Sequence, residues 1–310
     1  MAQTILPPTY NRNFSPVTGE CVDIAPSISR ICAPNASPYT FTGTNSYIVG
    51  NDEIAIIDPG PDNDRHFEAL LQAINGRKTL SILLTHTHKD HCAAAKQLSQ
   101  KLDAPIWFGG QHQLSRPKRI FEANLLHRAC DWNLRPDKKL KDGDCFKVDD
   151  ITIKVIATPG HCANHLSFGI KGQKFLFSGD HVMGWNSTLV APPDGSLKDY
   201  FKSLNKLMKQ EWSHYLPGHG DEIADLGKKD AKKFVSELLR HRENRNSQIL
   251  KLAGNGPLKP GDIVNSIYPE AFAKIRIAAM MTVMAHVEYL EQKELLVVKR
   301  GLFTTKIMAV

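Results

Sequence analysis

The run His86-Thr87-His88-Lys89-Asp90-His91 constrains this chain more than any other. A packed core has little use for three imidazoles and a carboxylate within six residues, because each buried polar group needs a partner. Metal ions do have a use for them. His86 and His88 lie two apart, so in an extended loop their side chains point the same way and can grip one ion. Asp90 and His91 then turn toward a second. Imidazole and carboxylate suit Zn²⁺, with Fe or Mn as alternatives. The plainer reading is a histidine-rich surface loop, which would give no reason for matching ligands elsewhere in the chain.

Those ligands occur, each behind a predicted strand. The apolar run Leu80–Thr85 precedes the motif. Ile151–Ala157 alternates as a β-branched strand and ends in Thr158-Pro159-Gly160-His161. Lys174–Ser178 ends in Gly179-Asp180, and His214–Leu216 in Pro217-Gly218-His219-Gly220. Sites in layered α/β folds gather where strand ends converge, so the recurrence has a physical reason.

On these motifs the chain resembles the metallo-β-lactamase superfamily over residues of about 40 to 220. The resemblance implies an α/β fold, an αββα sandwich, with a dinuclear zinc site at one edge. It implies that His86, His88 and His161 hold one ion, that Asp90, His91 and His219 hold the other, and that Asp180 bridges them. Asp58, in Ile57-Asp58-Pro59-Gly60, matches the family position beneath the site. It is expected to orient a ligand histidine, although Asp-Pro-Gly also reads as an ordinary turn. Asp180 stands where several true lactamases carry Cys, and His88 where the diiron oxygen-reducing branch carries Glu. Both substitutions point away from those branches.

The expected chemistry is hydrolysis by a hydroxide bridging two metals that also polarise the bond under attack. Asp90 is the expected carboxylate for holding that water and taking its proton. His165, four residues after His161, is a candidate proton donor or substrate contact; a structural role weighs equally. Cys92 and Cys162 each follow a ligand histidine and are expected to pack behind it. No apolar run approaches the ~18 residues of a membrane span. The N-terminal residues show no basic region followed by an apolar one, and no cysteines form a C-x-x-C pair. A cytoplasmic chain with reduced thiols is the resulting expectation.

Residues 1–38, rich in Pro, Asn and Ser, are expected to wrap the surface before strands begin. A hairpin is predicted around Gly50-Asn51, and helices over Asp62–Ile74 and Ala93–Lys101. Gln111–Lys141 reads as an insert or lid. Its Arg116, Lys118 and Arg119 could meet an anionic substrate or simply line a solvated face. The chain divides into a catalytic domain over 1–226 and a second domain over 227–310. Residues 225–310 hold 15 Lys and Arg against 9 Asp and Glu, which supplies +6 of the chain's +7. Helices over 228–252, 260–268 and 271–292, then a hairpin folded at Arg300-Gly301, resemble a winged helix.

The segment from His241 to Leu290 resembles the C-terminal domain of the β-lactamase-like protein 2 group. That group's mitochondrial members are described as single-strand endoribonucleases. The resemblance favours an RNA phosphodiesterase, with Lys229, Lys233 and Arg240 as RNA-contact candidates on one helix face. A thioester or ester hydrolase of the hydroxyacylglutathione hydrolase type shares the same ligands. A non-catalytic nucleic-acid-binding protein would have no use for them. The long helix has no Lys or Arg from Ile277 to Gln292, and Met280, Val283, Met284, Val287 and Leu290 form a packing stripe. It is expected to pack or to pair with a second subunit rather than read bases.

Overall fold

The β-branched runs become strands, the central ones buried on both faces. β1 (Cys21–Ala25), β2 (Ile28–Cys32), β3 (Asn45–Val49), β4 (Glu53–Ile57), β5 (Lys78–Leu83), β6 (Ile106–Phe108) and β7 (Lys138–Lys139) form a seven-stranded sheet in that order. β8 (Cys145–Val148), β9 (Ile151–Ala157), β10 (Leu166–Ile170), β11 (Phe175–Gly179) and β12 (His214–Pro217) form a five-stranded sheet in reverse order. The computed structural model describes residues 8–224, 231–269, 273–301 and 304–310.

Period-two alternation decides which core each side chain enters. On β4, Ile54 and Ile56 face one way and pack with Phe67 and Leu70 of helix α1 (Asp64–Ile74). Ala55 and Ile57 face the other sheet and join Phe168 and Phe177 in the central layer. Helices α2 (Lys89–Cys92) and α3 (Ala95–Leu102) follow the histidine motif, and α4 (Leu197–Met208) covers the outer face of the five-stranded sheet. The result is the expected sandwich of helices around two sheets. α1 starts later than predicted because Asn63 caps it, accepting from the His66 N–H, and it ends at Asn75 in the left-handed region.

Two expectations change. The N-terminal stretch does not merely wrap the surface: β1 and β2 lie within it, and β2 hydrogen-bonds along β3. The boundary at 226/227 falls outside the described residues, as does Lys229. Helix α5 (Ala231–Ala253) divides its contacts between two cores. Phe234, Val235 and Leu238 pack with α4 against the five-stranded sheet. Ile249 and Ala253 pack with α6 (Pro260–Ile267), α7 (Ala273–Gln292) and an antiparallel pair, β13 (Leu296–Arg300) and β14 (Thr305–Ala309). Val283, Val287 and Leu290 of α7 are buried, as the packing stripe requires. Among the described residues no helix is long and apolar enough to cross a membrane.

Candidate metal centre

Five strand ends deliver the site. Asp58 follows β4, the His86–His91 run follows β5, His161 follows β9, Asp180 follows β11 and His219 follows β12. The sheets are joined here by backbone: the Asn45 N–H donates to the Gly218 carbonyl, and the Leu166 N–H to the Thr85 carbonyl. Only glycine fits at 218. A Cβ there would lie 2.5 Å from the His91 ring and 2.8 Å from Asp180 Oδ1.

Each of five histidines has one ring nitrogen bonded outward and the other turned inward. His86 Nδ1 meets Thr85 Oγ1 at 3.0 Å, and His91 Nδ1 donates to Asp58 Oδ2 at 2.9 Å. His161 Nδ1 donates to the Leu189 carbonyl at 2.7 Å, and His219 Nδ1 to the Gly43 carbonyl at 3.1 Å. His88 is turned the other way round: its Nε2 donates to Asp194 Oδ2 at 3.1 Å. Fixing one nitrogen this way sets ring orientation and leaves the second as a lone-pair donor.

The inward atoms form two adjoining groups. His88 Nδ1 and His161 Nε2 are 2.9 Å apart, and His86 joins them in one set able to hold a metal ion. His91 Nε2 and His219 Nε2 are 3.2 Å apart, with Asp90 in the same set. Asp180 lies between the sets: Oδ1 is 3.4 Å from the inward nitrogens of His91 and His219, and Oδ2 is 3.6 Å from that of His161. His86 Nε2 and Asp180 Oδ1 are buried with no hydrogen-bond partner. Unmet lone pairs converging from imidazole and carboxylate fit a metal ion, and a buried apolar cluster would have no reason to assemble them.

The electrostatics agree. Burial would raise the Asp180 carboxyl, yet the His219 and His91 rings outweigh it and hold it well below the ordinary carboxylate range. Burial likewise pushes His219 down, and Asp180 and Asp90 outweigh that, raising it to about 9. His161, facing mainly burial and the His88 ring, falls to about 4. The pocket therefore attracts positive charge at the His91, His219 and carboxylate side.

Asp58 is bonded into the same network. Its Oδ1 accepts from the Thr85 N–H at 2.7 Å, and its Oδ2 from the Thr85 hydroxyl at 2.6 Å as well as from His91. One carboxylate thus positions His91 directly and His86 through Thr85. His165 sits beneath the site with both nitrogens engaged: Nδ1 meets Thr158 Oγ1 at 2.9 Å, and Nε2 accepts from the Asp180 N–H at 3.2 Å. Through Nε2 the ring braces the Asp180 backbone. Cys92 and Cys162 are buried, and burial pushes both thiols up. Arg116 and Arg119 are engaged by carboxylates of the protein itself. Arg116 grips Glu122 and Glu288, and Arg119 bonds Glu288 of α7 at 2.8 Å, which ties the insert to the C-terminal helices.

Sequence reading missed Asp194 and His112. Asp194 is fully buried and accepts from His112 Nε2 at 2.7 Å as well as from His88; those two bonds outweigh burial and hold its carboxyl low. The available signal was Pro192-Pro193-Asp194-Gly195, a turn-forming run like the one around Asp58. Arg242 was also missed as a support. It is buried on α5, lies 5.5 Å over the Tyr200 ring and donates to the Thr188 carbonyl, while the Thr188 hydroxyl donates to the Asp180 carbonyl at 2.7 Å.

The family model for the metallo-beta-lactamase superfamily matches residues 39–219, the span that carries all of these strand ends. The chain belongs to that superfamily. Among relatives of this metallo-beta-lactamase superfamily member, a Beta-lactamase-like protein 2 homolog of Caenorhabditis elegans is 28% identical over 265 residues, covering 84% of this chain and 82% of its own. An atrochrysone carboxyl ACP thioesterase of Aspergillus chevalieri is 27% identical over 275 residues, covering 83% and 79%. The crystal structure of a beta-lactamase domain protein from Burkholderia ambifaria shares the fold with a TM-score of 0.78 at 20% identity, covering 96% of each chain. The superfamily's fold serves mostly hydrolases, and the His and Asp sets here can bind metal ions.

Proposed function

We propose that the chain is a metal-dependent hydrolase whose substrate is a phosphodiester, single-stranded RNA. The observation that carries the hydrolase reading is the set of five histidines, each with one nitrogen fixed outward and one presented inward around Asp180. In this reading His86, His88 and His161 hold one zinc ion, Asp90, His91 and His219 hold a second, and Asp180 serves both. Such a pair, when bound, makes a water acidic enough to ionise near neutral pH and polarises the bond under attack.

The protein's own part follows from the geometry. Asp90 is the more open carboxylate, 29% exposed against 9% for Asp180, so it meets incoming water and takes its proton. Asp58 and Asp194 hold the histidine rings in place. The phosphodiester reading rests on charge: +6 of the net +7 lies in 225–310, and Lys233 and Arg240 are exposed on one face of α5. The three C-terminal helices and the β13–β14 pair suit a winged-helix domain.

A second reading, thioester hydrolysis, is favoured by the thioesterase named among the relatives. Metal-analysed protein offered single-stranded RNA and an acyl thioester side by side, with His86→Ala as control, separates them. RNA cleavage that disappears in the control supports the first reading. Thioester cleavage alone replaces it with the second.

A further inference from the structure

A second feature of the molecule is a groove of about 470 Å³ between α4 and the end of α7. Lys198, Lys202, Lys206 and Lys209 line one wall, and Lys293 and Tyr289 the other. The α4 lysines follow a spacing of four, four and three residues, which keeps them on one arc of the helix. The buried face of the same helix is Leu197, Tyr200, Phe201, Leu204 and Leu207, so the lysine row is its outward face.

The positive charge is only partly answered. Lys202 lies 3.6 Å from Asp199, and Lys206 pairs with Asp142. Lys198, Lys209 and Lys293 have no carboxylate within ion-pair distance among the described residues. Lys293 Nζ instead sits 5.9 Å from the centre of the Tyr289 ring. A row of like charges held in parallel is a cost to the fold unless an anion lies along it.

The row also has a direction. α4 is capped by Ser196, two residues after Asp194, whose carboxylate holds His88. The Ser196 N–H donates to the carbonyl of Gly160, next to His161, and a Cβ at Gly160 would lie 2.5 Å from the Tyr200 Cα. The row therefore starts at the end of the helix tied to Gly160 and leads away from it in steps of about 4.5–6 Å.

We propose that this groove is the track for the phosphate backbone of a single-stranded nucleic acid on its way to the metal centre. Linear anions need a row of point charges, and successive phosphates supply the partners. Tyr289 adds the ring that single-strand grooves use as a stacking platform. A groove of this size takes a strand; an acidic protein would need a far broader complementary face. The identity of the strand rests on the phosphodiester reading, but the groove is tested by binding, not cleavage.

Anisotropy of a short labelled RNA, titrated with the metal-loaded full-length protein across a salt series, reads the site directly. A Lys202→Gln/Lys209→Gln variant should bind at least tenfold more weakly. Its slope of log affinity against log salt should fall by about 0.7 per lysine removed. Hydrolysis of a small ester should be unchanged. Wild-type affinity and slope in the variant overturn the proposal, as does failure of the wild type to bind RNA. Equal competition by poly-glutamate shows a charge-only surface and overturns it too. Groove-dependent binding without RNA cleavage keeps the track and removes the phosphodiesterase reading instead.

Discussion

Asp194 holds His88 from behind, its Oδ2 3.1 Å from the ring Nε2, so that Nδ1 is the nitrogen left facing His161. The other four site histidines present Nε2, and the carboxylate explains the exception. Asp194→Ala should weaken metal binding at the His86, His88 and His161 set by roughly 10–100-fold. Chelator competition measures this without any substrate. Unchanged affinity would remove Asp194 from the site's support.

Asp180 is the side chain common to both sets. Asp180→Ala should leave His91 and His219 without the charge that raises them and should lower the metal-to-protein ratio in elemental analysis, with activity lost. A variant that retains full metal and full rate refutes the ligand assignment.

Gly218→Ala tests the close approach at the sheet junction. The new methyl must displace the His91 ring or the Asp180 carboxylate, because the Gly218 backbone is fixed by its bond from Asn45. The expected loss is in metal content first, with overpacking costing about 1–3 kcal/mol in denaturant unfolding. A fully stable, fully metallated variant would contradict the packing described.

Acid sensitivity should arise in part away from the site. His66 is fully buried on α1, its Nε2 2.8 Å from Ser46 Oγ, and burial holds its pKa down to about 4. The unfolded chain binds this proton near pH 6.5, so acidification favours unfolding between about 6.5 and 4. The contribution is complete above that window and is lost as pH falls through it, by up to about 3 kcal/mol. Urea unfolding of wild type and His66→Gln across the window should show a shallower pH slope in the variant. Parallel slopes would rule His66 out.

Arg242→Ala should release the 180–190 loop. It removes a buried charged donor to Thr188, whose hydroxyl bonds the Asp180 carbonyl, at a cost of about 1.5–3 kcal/mol. Faster amide exchange in that loop is the specific sign. An unchanged loop with a merely less stable helix would count against the link.

Most residues of the candidate metal centre stood out in the sequence because they come in short motifs at predicted strand ends. Asp58 could be placed from its Asp-Pro-Gly setting. Asp194, His112 and Arg242 could not, since each acts through contacts 54 to 106 residues away in sequence. The helices after residue 230 were visible from their periodicity: α5 ends one residue later than expected, α6 one residue sooner, and α7 where expected. β1 and β2 were hidden within a Pro-, Asn- and Ser-rich stretch, and they show themselves only once β2 pairs with β3 and β1 with β2. The reading of Arg116 and Arg119 turned on Glu288, which lies far along the chain.

Helix α5 belongs to two cores at once, its first half packed with the catalytic sheet and its second with α6 and α7. No clean seam therefore runs through the molecule at that helix. A truncation meant to isolate the catalytic half would strip Phe234, Val235 and Leu238 from the sheet they cover, together with the arginine behind Thr188. The C-terminal region is less a passenger than a wall of the hydrolase, and grafting either part onto another protein would carry a raw face with it.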